Sequence, residues 1–408
     1  MRTSSKYFLL TCLYLSQGLP YGFFQKALPV MMRKMEASLP EISLASLVTL
    51  PWALKFLWAP LVDKYGSKRI GRKRSWIFFL QMCALSLFIF LGLTADPKDY
   101  RFLIWGFLLA SLISATQDIA TDGLAVGLLS EPERGLGNGI QVAGYRLGMI
   151  LGGGFMLMIL DLIQWQGAFY LMGLGLCLAT IPLFFYKEPF PPPAVEALPL
   201  RALYRRIISR PHFLVWLAVI GFYKFGDAMT SQMLGPFMVD LEMSWQEIGR
   251  IWGIFASISG LLGALAGGWL VRPMGRYRAI VWFGFIQAMP ILGYMLMAQG
   301  ILAQNQLPLV ISLEHFTGGL ATTALFTAMM DVCDPHQGST DYTLQACAVV
   351  IFTTLAHWLS GSVAEALGHA GNFFISFLVC LMGAVVFTFM YRTQTKERGG
   401  FLLTDGIS

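Results

Sequence analysis

The chain has 408 residues, of which 56% are hydrophobic and only 13% are charged, and its mean hydropathy is +0.62. Soluble domains carry about 25% charged residues, so the composition excludes a soluble globular protein and indicates a polytopic membrane protein. The net charge of +6 is typical of basic loops on the cytoplasmic side of a membrane, and we expect no nucleic-acid partner.

The six cysteines stand singly in apolar or near-apolar stretches, without any C-x-x-C spacing. We therefore expect no disulfide framework, no metal site and no cofactor. The chain also lacks the phosphate-binding pattern G-x-x-x-x-G-K-[ST], which argues against an ATP-driven pump. The N-terminal apolar run continues past any cleavage site and is predicted to be the first membrane span.

Apolar segments of about 20 residues, the length of helix that crosses a bilayer, recur twelve times. In chain order they cover residues 6–32, 42–62, 76–93, 102–129, 136–163, 168–186, 213–239, 248–270, 279–298, 307–332, 342–366 and 373–391. A polar, proline-rich stretch follows the sixth segment. We therefore predict an N-terminal six-helix bundle (1–187), a cytoplasmic linker (188–212), a C-terminal six-helix bundle (213–392) and a cytoplasmic tail (393–408).

Lysine and arginine collect at the N-terminus, in loop 63–74, in the linker, in loop 272–278 and in the tail. These are alternate loops, and basic loops stay on the cytoplasmic side of a membrane. Both termini are therefore predicted to be cytoplasmic, as an even number of spans requires.

The loop between the second and third spans carries a D-K-x-G pattern followed by G-R-K-R, at Asp63, Gly66, Gly71 and Arg72. It is similar to the signature loop of the major facilitator superfamily, and a degraded copy follows the eighth span at Gly268–Arg278. The resemblance implies an all-α membrane protein with two pseudo-symmetric six-helix bundles that rock around a central site. It also implies that these four loop residues gate the conformational change.

Two carboxylates, Asp118 and Asp122, lie four residues apart in the fourth span and so share one face of a helix. Both cannot ionise there without partners, which predicts a proton-coupling or substrate-binding role. For both residues the alternative is that they cap the cytoplasmic end of the helix and bind the neighbouring basic loop. This alternative is favoured for Asp122, which lies nearer that end. Glu314 in the tenth span is the preferred second acid for proton coupling, beside His315.

Other polar or aromatic residues inside the spans are candidates for substrate binding: Gln17, Tyr21, Lys55, Arg146, Lys224 and Asp227. The charged residues among them have structural alternatives. Arg146 is equally suited to an ion pair with Asp118 or Asp122, and Lys224 to a salt bridge with Asp227. Lys55 has a side chain long enough to reach the membrane interface.

A narrower resemblance rests on Gln17-Gly-Leu-Pro-Tyr21, Pro51–Pro60, Ala115–Asp118, Gly144–Met149 and Tyr223–Asp227. These motifs are similar to the branch that contains the muropeptide permeases and the acetyl-CoA transporters. Tyr21–Phe24, Glu314–Gly319 and Thr340–Gln345 most resemble the rhizobactin- and pyochelin-type siderophore permeases of that branch. The muropeptide permeases often carry two more spans than the twelve predicted here.

The resemblance implies a monomeric, proton-driven symporter of the bacterial inner membrane that imports a siderophore, free or iron-loaded. The alternative is an anhydro-muropeptide or acetyl-CoA permease. A polytopic enzyme is disfavoured because the linker lacks a nucleophile or an acid–base constellation, and we predict no catalytic residue. A sensor without transport is disfavoured by the two repeated halves and the buried charges.

Overall fold

The computed structural model describes residues 3–24, 48, 50–67, 69–94, 100–188, 208–210, 212–334 and 337–397. The predicted end of the first span, the predicted start of the second, most of the linker 188–212 and the tail beyond Glu397 lie outside these residues. Within the described part, all regular structure is helical apart from one isolated bridge between Ser67 and Gly71.

The helices of the first part of the chain are numbered here in order. They are α1 (Thr3–Gly22), α2 (Leu50–Leu54, Lys55–Leu57 and Ala59–Lys64), α3 (Arg72–Thr94), α4 (Tyr100–Leu128) and α5 (Glu131–Met149, continued by the π-helical Ile150–Phe155). The helical stretch Met156–Phe185 turns at Gln164, so residues 156–163 complete α5 and residues 165–185 form α6.

The helices after the linker follow the same numbering. They are α7 (Phe213–Tyr223 and Phe225–Asp240), α8 (Trp245–Ile248, the π-helical Gly249–Phe255 and Ala256–Met274), α9 (Arg276–Ala298) and α10 (Leu307–Val332). The stretch Gly338–Glu397 turns at Gly368, where φ is +70°, and we call residues 338–367 α11 and residues 369–397 α12.

Eight of the helical stretches in the described part are long and apolar enough to cross a membrane, and Gly338–Phe389 among them is long enough for two spans. The second predicted span is not one regular helix. Pro60 lacks the N–H that an uninterrupted helix would use, and a tight 3-10 turn at Lys55–Leu57 precedes it. This break leaves Lys55 at the centre of α2, and the helix resumes only at Ala59.

Hydrogen bonds at two helix starts follow a common pattern. Ser130 and Glu133 bond to one another at the start of α5, and Ser244 and Glu247 do the same at the start of α8. This is the capping box, in which serine and glutamate satisfy backbone N–H groups that have no partner within the helix. The bonds from Ser244 also lower the pKa of the Glu247 carboxyl group.

The chain forms two compact units. The first contains residues 1–129, 144–204 and 333–347, and the second contains residues 130–143, 205–332 and 348–408. The start of α5 thus belongs to the second unit and the start of α11 to the first. The sequence-based division into bundles at 1–187 and 213–392 stays a prediction.

In the first unit, α1 and the later part of α5 approach closely through glycines. A Cβ on Gly148 would lie 2.3 Å from the backbone oxygen of Leu15, and one on Gly152 would lie 1.8 Å from that of Leu19. Only glycine permits this separation, as is common where membrane helices pack on small residues. Gly148 follows Arg146 by two residues, so this arginine lies beside the close contact.

The second unit uses the same device between α8 and α10. A Cβ on Gly263 would lie 2.0 Å from the backbone oxygen of Phe316, and one on Gly319 would lie 2.6 Å from that of Gly260. The unit's apolar core includes Phe237, Tyr294 and Phe373. These contacts fix α10, which carries Glu314, closely against α8.

Candidate functional site

The first unit contains an ion pair within its apolar interior. Lys55 of α2 bonds to Asp118 of α4, 63 residues further along the chain, and their side chains are 5% and 10% exposed. The hydroxyl of Tyr14 donates to Asp122 Oδ1 over 2.8 Å, and the Asp122 carboxyl group faces that of Asp118. The cluster therefore joins one ammonium group, two carboxyl groups and one phenol from three helices.

Asp122 is buried inside α4, with the helix continuing to Leu128. Its bond to Tyr14 favours a role within the membrane over a role at the basic loop. A ladder of polar side chains beside the cluster holds α1, α3, α4 and α6 together. Gln81 and Gln117 both donate to Ser16, and Thr180 donates to Gln81.

An aromatic trio lies next to this cluster. The ring centroids of Tyr21, Trp52 and Tyr145 are 5.4, 5.6 and 6.1 Å apart, so each ring contacts the other two. Lys55 Nζ lies 5.4 Å from the centroid of the Trp52 ring. The trio therefore connects directly to the Lys55–Asp118 pair.

Gln17 lies one helical turn before Tyr21 on α1 and is 1% exposed. Within the described residues, neither atom of its side-chain amide has a hydrogen-bond partner. Arg146, another predicted substrate-binding residue, is half-buried on α5 beside Tyr145. Its pairing with Asp118 or Asp122 stays a prediction, since Lys55 takes the position of the cation on Asp118.

The second unit contains its own buried charges. Lys224, at the break in α7, bonds to Asp227 over 2.7 Å and to the Gln287 amide oxygen on α9 over 3.3 Å. The predicted Lys224–Asp227 bridge is thus present. A Cβ on Gly318 would lie 3.4 Å from Asp227 Oδ1, which places this carboxylate against α10.

Glu314, the predicted second acid, is 4% exposed on α10. Its carboxyl group contacts the ring of His315 and accepts a long hydrogen bond of 3.5 Å from the Tyr294 hydroxyl. A tyrosine thus bonds to a buried acid in both units, Tyr14 in the first and Tyr294 in the second. Neither contact has a signal in the sequence, because each partner lies on a different helix.

Asp63, one of the predicted gating residues, lies at the end of α2 and holds three groups of the first unit. Its Oδ1 accepts from Lys73, and its Oδ2 accepts from the backbone N–H of Thr340 over 2.7 Å and from the Thr340 hydroxyl over 2.6 Å. Asp63 therefore caps the start of α11, where free N–H groups favour a negative charge. Lys73 adds a bond to Ser339 over 2.6 Å.

The other predicted gating residues shape the loop around Asp63. Gly66 and Gly71 have φ of +141° and +110°, which side chains with a Cβ rarely adopt. Arg72 donates to the backbone oxygen of Asp63 over 2.9 Å. Glu188 accepts from the backbone N–H groups of Lys73 and Arg74 at the start of α3, so it caps that helix.

The second unit also contains a charged cluster around Asp331 that was not predicted from the sequence. Asp331 at the end of α10 accepts from Arg134 of α5 over 2.7 Å and from Arg276 of α9 over 3.1 Å. Arg276 also bonds to the backbone oxygen of Glu131 at the start of α5. The degraded repeat at residues 268–278 could have indicated this cluster, since Arg276 belongs to the repeat.

Residues 10–344 match the Major Facilitator Superfamily. The chain belongs to the Major Facilitator Superfamily. It is therefore a multi-pass secondary transporter that moves a small molecule across a membrane, and not an enzyme.

The relatives cover nearly the whole chain. An uncharacterized protein of Haemophilus influenzae is 30% identical over 398 residues, with 92% of each chain covered. The anhydromuropeptide permease of Escherichia coli is 27% identical over 395 residues, which cover 96% of this chain and 80% of the permease. A putative transporter of Rickettsia felis, AmpG 4, is 22% identical over 394 residues that cover 92% of this chain and 94% of the relative. They support the branch of the muropeptide permeases and give no support to a place among the siderophore permeases.

Solved structures share the fold. The human organic anion transporter MFSD10 has a TM-score of 0.75 at 14% identity, with 95% of this chain and 99% of that chain covered. The E. coli fucose:proton symporter has a TM-score of 0.73 at 12% identity, with 97% and 99% covered. The predicted major facilitator fold is therefore confirmed.

Proposed function

We propose that this transporter imports an anhydromuropeptide, an amino sugar joined to a short peptide, across the bacterial inner membrane together with protons. The observation that carries the proposal is the buried pair of Lys55 and Asp118 with Asp122 one turn further along α4. The similarity to the E. coli anhydromuropeptide permease over 96% of the chain supports the substrate.

Proton coupling follows from the charges of the first cluster. Lys55 balances one carboxylate, so a second ionised carboxylate would leave a net negative charge inside an apolar helix. Burying such a charge costs at least about 2.5–3.5 kcal/mol. One proton shared by Asp118 and Asp122 removes this charge, and its release requires a different state of the cluster. Binding and release of that proton are thereby linked to the transport cycle.

The charges of the second unit suit the peptide portion of the substrate. Lys224 and Asp227 form a pair of opposite charges, and Glu314 supplies a further carboxyl group. A peptide stem carries both amino and carboxylate groups, which can exchange partners with such a pair.

Alternating access would require the contacts of Asp63 to break and re-form. Its bonds to Lys73 and Thr340 hold the end of α2 against the start of α11. We also propose that the protein is a monomer of the inner membrane. The basic loops indicate that both termini are in the cytoplasm.

The siderophore prediction is replaced by this proposal because the E. coli relative is an anhydromuropeptide permease. Siderophores and acetyl-CoA become competing substrates in the test. The twelve-span length does not argue against a muropeptide, since the alignment covers 80% of the longer E. coli permease.

The test measures uptake by right-side-out vesicles from a strain without its own muropeptide permeases. Labelled anhydromuropeptide, a panel of ferric siderophores and acetyl-CoA are offered separately, each with and without a protonophore. We expect uptake of the muropeptide alone, abolished by the protonophore and by Asp118→Asn. The matched control is Asp240→Asn, at the end of α7, where the side chain is 65% exposed. Siderophore or acetyl-CoA uptake without muropeptide uptake would overturn the proposal.

A further inference from the structure

The first unit contains two aromatic clusters of different composition. One is built from phenylalanines, including Phe23, Phe107 and Phe169, which are all 0% exposed. The other is the trio of Tyr21, Trp52 and Tyr145, whose members carry polar groups and are only half-buried. The phenylalanine cluster is a closed packing core. The trio is instead an aromatic surface with hydroxyl and indole N–H groups at its edges.

Gln17 adds unused hydrogen-bonding capacity beside this surface. Its amide has two donors and two acceptor lone pairs, yet it is 1% exposed and has no partner among the described residues. The buried indole N–H of Trp52 likewise has no partner in that part of the chain. Gln81 of the same unit is equally buried but bonds to Ser16 and Thr180. Buried polar groups are normally paired, so the unpaired Gln17 amide and Trp52 indole N–H indicate that a ligand binds beside them.

The position of Gln17 on α1 links the trio to the acid pair. Tyr14, Gln17 and Tyr21 are spaced i, i+3 and i+7 and so lie along one face of the helix. Tyr14 bonds to Asp122 at one end of this face, and Tyr21 contacts Trp52 at the other. A ligand at the trio would therefore reach both the unpaired amide and Lys55.

We propose that Tyr21, Trp52, Tyr145 and Gln17 form a binding subsite for a pyranose ring, the sugar portion of the transported sugar–peptide. This inference rests on the proposed function and assigns one part of the substrate to one set of residues. A pyranose has an apolar face of C–H groups that packs on aromatic rings and a rim of hydroxyl and acetamido groups that bonds to amides. An aliphatic chain would fill the aromatic surface but leave the amide unpaired, at a free-energy cost.

The test measures displacement of labelled anhydromuropeptide from the purified full-length protein in lipid nanodiscs. The competitors are the peptide-free disaccharide N-acetylglucosaminyl-anhydro-N-acetylmuramic acid and the free stem peptide. In the wild type we expect the disaccharide to displace the label. In Trp52→Leu and Gln17→Met we expect its affinity to fall about tenfold, as for the loss of one or two hydrogen bonds. The affinity of the stem peptide should stay within about twofold.

Matched controls separate binding from folding. Trp105 lies on α4 and is 70% exposed, so Trp105→Leu should change neither affinity. Gln17→Met removes a buried polar group that has no partner, and its melting temperature should equal or exceed that of the wild type. Gln81→Met breaks satisfied bonds and should lower the melting temperature while the disaccharide affinity of the folded protein is kept.

Three results would overturn the subsite. The first is a wild type that binds the muropeptide but not the disaccharide, which would leave the proposed function standing. The second is unchanged disaccharide affinity in both Trp52→Leu and Gln17→Met. The third is a Gln17→Met protein that melts lower and binds as the wild type does, since Gln17 would then be structural. A wild type that binds neither muropeptide nor disaccharide would overturn the proposed function together with the subsite.

Discussion

Lys55 shows how a single buried charge constrains this protein. Its ammonium group lies between the carboxylate of Asp118 and the face of the Trp52 ring. Removing one partner of a buried ion pair leaves the other charge uncompensated, whereas removing both often has little effect on stability. This difference distinguishes the energetic role of the pair from its role in transport.

We predict that Lys55→Met destabilises the protein by about 3–5 kcal/mol, because Asp118 is left buried beside Asp122 without a cation. The double variant Lys55→Met/Asp118→Leu should recover most of the melting temperature in detergent but no uptake. A double variant that transports at the wild-type rate would show that the pair is only structural.

Contacts between charged residues were predictable from the sequence where the two partners are close along the chain. Lys224 and Asp227 are three residues apart on one helix, and their predicted bridge is present. Lys55 and Asp118 are 63 residues apart, and Asp63 and Thr340 are 277 apart. A charge in an apolar helix predicts that a partner exists, but only the packing of the helices determines which residue that partner is.

Among the elements, α1 and α5 show how close packing places the candidate site. Their glycine contacts bring Tyr145 of α5 against Tyr21 of α1. A wider separation of α1 and α5 would therefore move the rings of Tyr21 and Tyr145 apart.

Gly152→Ala should destabilise the protein by about 1–3 kcal/mol, because the new methyl group would lie 1.8 Å from the Leu19 backbone oxygen. Gly154, in the same π-helical segment, has no described atom within 4 Å of an added Cβ, so Gly154→Ala is the matched control. Thermal unfolding of the two purified variants provides the comparison. Equal melting temperatures would show that the α1–α5 contact is not as tight as described.

The contact between α2 and α11 depends on Asp63. Cys347 on α11 is 2% exposed, and its Sγ lies 3.7 Å from the Trp52 backbone oxygen on α2. It therefore reports on whether these two helices stay together.

Asp63→Asn should raise the rate of maleimide modification of Cys347 about tenfold, because a hydrogen bond to a charged group contributes about 1.5–3 kcal/mol. The rate is measured by mass spectrometry of the Cys347 peptide in purified protein. Cys380, which is 0% exposed in the second unit, serves as the internal control. The variant Glu247→Gln, which removes an exposed helix cap elsewhere, should leave the rate unchanged. If Asp63→Asn leaves the modification rate of Cys347 unchanged, the Asp63 carboxylate does not hold α2 against α11.

Element boundaries were predictable from hydropathy where helices are regular. The ninth and tenth predicted spans, 279–298 and 307–332, agree with α9 and α10 to within three residues. The second was predicted as one span, whereas Pro60 and the 3-10 turn divide α2. The eleventh begins at Gly338 rather than residue 342, because Ser339 and Thr340 form its polar first turn around Asp63.

At the scale of the whole molecule, composition and the signature loop were sufficient to predict a membrane transporter with the major facilitator fold. The finer choice between siderophore and muropeptide was not. Both substrates are organic molecules with polar oxygens, and the same cations and aromatic rings suit either. Similarity over 96% of the chain, rather than any single motif, now favours the muropeptide.

The central claim is that the protein moves a muropeptide and a proton across the membrane together, and that the acid pair of α4 carries the proton. Its most direct test uses purified protein in liposomes that enclose a pH-sensitive dye, with anhydromuropeptide added outside. We predict that the lumen acidifies as the muropeptide enters, and that Asp122→Asn abolishes the acidification while muropeptide exchange across the membrane continues. Muropeptide entry without acidification would contradict the claim. Acidification that persists in Asp122→Asn and disappears only in Glu314→Gln would contradict the assignment to α4.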